Sequence, residues 1–117
     1  MKGSLGDKQR LLHILDAILE IESYLHNTSL VEFTENSMMR FASIKQIEII
    51  GEAANAISTE TRNRFREIEW RQIIGMRNII VHEYFGIDYV LIWQILKNDI
   101  PHLKEKIMRV CKELDSD

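Results

Sequence analysis

A single cysteine, Cys111, a single proline, Pro101, and only five glycines stand in the 117 residues. One cysteine excludes an intrachain disulfide and a cysteine-based zinc cluster, and fits a reducing compartment. Scarcity of proline and glycine argues against a turn-rich β fold and for helices. No apolar run nears the roughly 18 residues that a membrane-spanning helix needs. A cationic excess is missing too: the net charge is −3, so any contact with nucleic acid must come from a local patch. The first six residues lack the apolar region of a secretory signal and are expected to be a disordered lead or an expression remnant. Residues 7–117 then form one domain, long enough to bury roughly 65% of its unfolded surface, and the chain is expected to be soluble and cytoplasmic.

What the sequence has in abundance is apolar residues at helical spacing. Asp7 can cap a first helix to about His26, with Leu11, Leu12, Ile14, Leu15, Ile18, Leu19, Ile21 and Leu25 as a wide stripe suited to a bundle. His13 and His26 near its ends are read as solvated or capping residues. Asn27-Thr28-Ser29 breaks the pattern, and residues 30–33 suit a short turn of helix. Asn36 or Ser37 then caps a second long helix over 38–57, whose core face includes Phe41, Ile44, Ile47, Ala54 and Ile57. Within it, Gly51 beside Ala53 and Ala54 would let another helix come close, since glycine in a helix interior costs about 1 kcal/mol relative to alanine and needs a packing reason. Glu52 is either a solvated charge or a partner for an arginine. A third helix carries Trp70, Ile73, Ile74, Met76 and Ile80. After a break at Phe85-Gly86-Ile87, Asp88 caps a fourth, with Val90, Leu91, Trp93, Leu96 and Ile100, widened by Ile92 and Ile95. Pro101 fits the first turn of a last helix with Leu103, Ile107, Val110 and Leu114. The expected fold is an all-α, single-domain bundle of four to five helices.

Between positions 62 and 77, Arg62, Arg64, Arg66, Arg71 and Arg77 face only Glu67 and Glu69, a local reversal of the chain's acidic sign. Such a cluster usually forms a solvated face, yet it is where an RNA backbone would find cations. It leads into Arg77-Asn78-Ile79-Ile80-Val81-His82-Glu83-Tyr84, which concentrates groups able to do chemistry. Arg77 is permanently charged and forked, as a phosphate requires. His82 can exchange a proton near neutrality. Asn78 and His82, four apart, share a helix face, where the amide can orient the imidazole. Arg77 and His82 are five apart, about 140° around a straight helix, and do not converge on one small group. Either the helix ends near Val81, or a second copy of the chain completes the cleft across a two-fold axis. Taken alone, the spacing also allows a structural role in which Arg77 pairs with a carboxylate, His82 caps a helix and Tyr84 packs.

The string from Arg77 to Tyr84 resembles the Arg-x4-His-x-Tyr motif of the HEPN ribonuclease superfamily, including the polar residue after the arginine. Ile49-Ile50-Gly51-Glu52-Ala53-Ala54, Trp70, Ile74-Gly75-Met76-Arg77-Asn78, His82-Glu83-Tyr84-Phe85-Gly86, Asp88, Trp93 and Asp99-Ile100-Pro101 extend the resemblance to the HepT-like toxins, over nearly the whole chain. It implies a HEPN-like bundle, a symmetric homodimer, and the toxin half of a toxin–antitoxin pair that cuts RNA without a metal or other cofactor. RNA carries its own nucleophile, the 2′-OH, so the protein need only move protons and stabilise charge. By resemblance Arg77 and His82 are catalytic, His82 as general base or acid and Arg77 on the scissile phosphate. Asn78 holds His82 or binds phosphate, and Tyr84 orients substrate. The implied antitoxin is a minimal nucleotidyltransferase that transfers AMP from ATP onto Tyr84. No carboxylate or histidine cluster is spaced for metal ligation, in agreement with metal-free chemistry. Two other roles remain open: a non-catalytic helical adaptor that docks a nucleotidyltransferase, and a nucleotide-binding regulatory subunit using Arg77 on a mononucleotide phosphate.

Overall fold

The computed structural model describes the backbone of residues 2–82 and 88–116, and the side chains of residues 6–78 and 88–116. Seven α-helices follow in order: α1 (Lys2–Leu25), α2 (Leu30–Glu35), α3 (Ser37–Ala56), α4 (Thr59–Arg64), α5 (Trp70–His82), α6 (Tyr89–Gln94) and α7 (Ile100–Ser116), with a π-helical turn (Ile95–Asp99) between the last two. The described residues contain no strand. Four long helices form the bundle: α1 packs on α3 and α7, and α3 packs on α5. The short helices link them, so the all-α expectation holds.

The core is largely isoleucine. Ile14, Ile18 and Ile21 of α1, Ile47 and Ile50 of α3, and Ile100 and Ile107 of α7 are all almost fully buried. Five residues expected in it are not, beginning with Leu12 (36% exposed) and Leu19 (46%) on α1. Phe41 is 52% exposed, Val90 47% and Leu91 41%. Each step of three residues turns the helix 60° short of a full circle, so Phe41 lies about 120° from Ile47, off the buried face. Along α6 and the π turn that follows it the buried residues are Ile92, Ile95 and Leu96, and Leu91 lies about 100° from Ile92.

Local chemistry sets the helix ends. Asn27 takes φ 55°, the left-handed conformation asparagine tolerates, just after α1. Ser29 and Glu32 make a reciprocal capping box on α2. The Asn36 side chain accepts from the Met39 N–H at 3.0 Å to start α3, and Asp88 accepts from Val90 and Leu91 at 3.0 and 3.1 Å to start α6. Pro101 would clash with the carbonyl four residues back in a regular helix and offers it no N–H. The chain widens there into the π turn, where the Ile100 N–H reaches the Ile95 carbonyl.

Asp7 departs from the expected role. Helix α1 starts at Lys2, so Asp7 lies inside it, 1% exposed. Its carboxylate accepts from the Ser58 N–H at 2.9 Å and from the Ser58 and Thr61 hydroxyls at 2.5 Å each. Ser58 is the N-cap of α4, its Oγ accepting from the Thr61 N–H. Asp7 thus fastens the start of α4 to α1. Burial pushes its pKa up, but the hydrogen bonds and Arg10 outweigh that and hold the carboxyl below its ordinary value.

Candidate active site

Helix α5 carries the site. Its first turn is anchored before it begins: the Glu69 carbonyl accepts from the Ile73 N–H at 3.1 Å, and Trp70 Nε1 donates to the Phe65 carbonyl at 3.0 Å. Trp70, Ile73 and Met76 are buried on the inner face, whereas Arg71, Gln72 and Asn78 face outward. Arg77 lies between these faces, half-buried against α3.

Gly51 determines how α3 meets Arg77. A Cβ built on Gly51 would stand 2.8 Å from Arg77 Cβ, 3.5 Å from the Ile73 carbonyl oxygen and 3.8 Å from Arg77 Cα. Both atoms of Arg77 belong to its rigid base, so no rotamer change relieves the clash. The small residue anticipated for helix approach therefore sets the position of Arg77 itself. Its neighbour Glu52 is exposed, the solvated alternative.

The described α5 backbone is helical through His82. Arg77 and His82 consequently sit on one continuous helix, about 140° and 7.5 Å apart by helical geometry, with no helix end between them. Asn78 is exposed, one turn before His82 on the same face. The His82 side chain lies outside the described residues, as does Tyr84.

The arginines of positions 62–71 divide by role. Arg62 donates from Nε to the Ile57 carbonyl at 2.9 Å and from Nη2 to the Asn55 carbonyl at 2.8 Å, covering the last carbonyls of α3. The Arg64 guanidinium lies 4.8 Å from the Phe65 ring centre. Arg66 and Arg71 are exposed and make no hydrogen bond or ion pair among the described residues. With Asn63, Gln72, Gly75 and Asn78 they line an open groove of about 1090 Å³ between α4 and α5. The sequence placed cations in this region; the groove appears only on folding. His13 and His26 are exposed at their helix, as expected. No helix of the described residues is long and apolar enough to cross a membrane. Among the described residues, no group of three or more His, Cys, Asp or Glu side chains is placed to hold a metal ion.

Residues 14–110 match the family model described as Ribonuclease HepT-like. The chain belongs to the HepT-like ribonuclease family, of the HEPN type. A protein of Methanocaldococcus jannaschii named as a candidate RNase is 39% identical over 100 residues, covering 86% of this chain and 92% of that protein. A second from the same organism, named as a gamma-glutamylcyclotransferase and candidate RNase, is 40% identical over 105 residues, 90% of this chain but 47% of that protein. A protein of Thermococcus cleftensis named "Probable ribonuclease HepT" is 36% identical over 105 residues, 90% of this chain and 96% of its own length. No solved structure matches the chain. The family match spans the helices that carry Arg77, Asn78 and His82 and the described pieces on either side of residues 83–87.

Proposed function

We propose that this HepT-like chain is the toxin of a toxin–antitoxin pair, a metal-independent endoribonuclease whose cleft is shared between two copies. The observation that carries the reading is the seating of Arg77 against Gly51 on the same continuous helix as His82. One helix cannot turn both groups onto one phosphate, whereas the arginine of one copy and the histidine of the other can meet across a two-fold axis. Exposed Met38 and Phe41 of α3 and Val90 and Leu91 of α6 give a second copy apolar surface to cover. Those two helix ends are joined where the Arg40 guanidinium lies 4.4 Å from the Tyr89 ring centre. Asp88 follows His82 by six residues, so the N-cap of α6 lies within about 20 Å of position 82.

In the reaction, His82 takes the proton from a ribose 2′-OH as its oxygen bonds to phosphorus. The bond to the 5′-oxygen breaks, that oxygen is protonated, and a 2′,3′-cyclic phosphate is left. Arg77 holds the phosphate through two N–H donors and stabilises the charge that builds in the transition state. Asn78, one turn from His82, orients the imidazole or takes a phosphate oxygen. Tyr84 orients the substrate and is the point of control. A minimal nucleotidyltransferase antitoxin joins its phenolic oxygen to the α-phosphorus of ATP, and pyrophosphate leaves. Each AMP adds a negative phosphodiester beside Arg77 and His82, which occupies the arginine and repels RNA.

His82→Ala and Arg77→Ala should each lower RNA cleavage by roughly 10²–10⁴-fold with unchanged helical circular dichroism. Equal cleavage by wild type and His82→Ala preparations would remove the enzyme reading and leave a docking adaptor. Incubation with the cognate transferase and ATP should raise the intact mass by AMP units. A gain of the same size in Tyr84→Phe rules out Tyr84 as the acceptor.

A further inference from the structure

Among the described residues, nothing packed against Gly75 requires it to be glycine. It lies in the interior of α5, where glycine weakens a helix. Among the described residues, and its two chain neighbours aside, a Cβ built on it would meet nothing within 4 Å outside its own helix backbone. Gly51, by contrast, is kept small by Arg77. The bare backbone of Gly75 opens onto the groove between α4 and α5. That groove holds Arg66 and Arg71, both exposed, together with the amide side chains of Asn63, Gln72 and Asn78. Among the described residues that line it, Glu69 alone is acidic, in a chain whose net charge is −3. Trp70 borders the groove, but its ring is buried and its N–H is taken by the Phe65 carbonyl, so it offers no face for a base to stack on. Cations and amides without an exposed ring suit a sugar–phosphate backbone. Along α5 the positions of Arg71, Gly75, Asn78 and His82 fall within about 60° of one another, so the groove follows the helix face on which position 82 lies.

We propose that this groove binds the RNA strand flanking the scissile phosphate, with Arg66 and Arg71 on its phosphates and Gly75 left bare so that the strand lies directly against α5. The inference rests on the ribonuclease reading and adds to it the route by which a single strand reaches His82. Gly75 leaves room for the strand, Arg66 and Arg71 hold it, and Asn78 stands where the strand passes into the cleft.

The test is binding of a labelled 2′-O-methyl RNA oligonucleotide, which lacks the nucleophile and is not cut, measured over a range of salt concentrations. Cleavage of the unmodified oligonucleotide is followed in parallel. Removing two phosphate contacts from a single-stranded site should flatten the slope of log K against log salt by about 1.4, so Arg66→Ala/Arg71→Ala should bind more weakly with that shallower slope. Gly75→Leu should bind more weakly with an unchanged slope, because it takes away room and no charge. Its melting temperature should be no lower than that of wild type, since leucine favours a helix and the site is open. If wild type cuts the RNA and the double variant keeps the full salt slope, the groove assignment is overturned and the nuclease reading stands. If wild type neither binds nor cuts, both fall together. A change in the light-scattering mass of Gly75→Leu would instead mean that a second copy covers Gly75, which also overturns the proposal.

Discussion

Gly51 and Gly75 sit in the interiors of α3 and α5, and their surroundings give them opposite consequences on substitution. At Gly51 the added methyl group would stand 2.8 Å from Arg77 Cβ, and the neighbouring backbone cannot swing away. Overpacking of this kind costs about 1–3 kcal/mol, against a gain of about 1 kcal/mol in helix propensity. Gly51→Ala is therefore expected to lose up to about 2 kcal/mol in urea unfolding and to cut RNA less well, because Arg77 is displaced. A midpoint raised by the full helix-propensity gain, with undiminished cleavage, would contradict the close approach. Gly51 is legible in the sequence because Ala53 and Ala54 accompany it. Gly75 is not, because no described neighbour accounts for it. Arg77 and Asn78 are legible through the motif. The division between Arg62, spent on carbonyls, and Arg66 and Arg71, left to solvent, depends on where α3 ends and cannot be read from charge alone.

Among the elements, ends marked by side-chain caps are the readable ones. Asn36 and Asp88 start α3 and α6 as a capping residue should. The π turn is hidden, because Pro101 in a first helical turn reads equally well as a fresh start. Asp7 is hidden for a related reason: an aspartate ahead of an apolar stripe looks like the cap of its own helix, yet it secures α4 across 51 residues. Asp7→Ala leaves Ser58 and Thr61 without their buried acceptor and is expected to cost roughly 3 kcal/mol, read as a lower urea midpoint. The pH dependence has a definite sign. The folded pKa is lowered, so the contribution of Asp7 is fully present above its unfolded value of about 3.9 and is lost as pH falls through the lower folded value. Wild type should accordingly lose stability faster than Asp7→Ala below about pH 4. Parallel acid-unfolding curves would argue against this node.

At the level of the whole molecule, the all-α bundle follows from isoleucines at helical spacing, and its four long helices fall where the periodicity puts them. The exposure of Phe41, Val90 and Leu91 does not follow from periodicity, because apolar residues left on the surface look like core until the bundle is assembled. The same limit applies to the site. Spacing gives about 140° between Arg77 and His82, and the proposed shared cleft gives a separation of that size its chemical meaning. A cleft shared between copies makes a demand that a single-chain site does not. Arg77→Ala and His82→Ala chains, each inactive alone, should complement one another when mixed by co-expression or co-refolding. Every mixed dimer then holds one cleft with an intact arginine from one copy and an intact histidine from the other. With random pairing, RNA cleavage should return to about a quarter of the wild-type level. A mixture as inactive as either variant, beside a wild-type protein that cuts, would contradict the shared cleft.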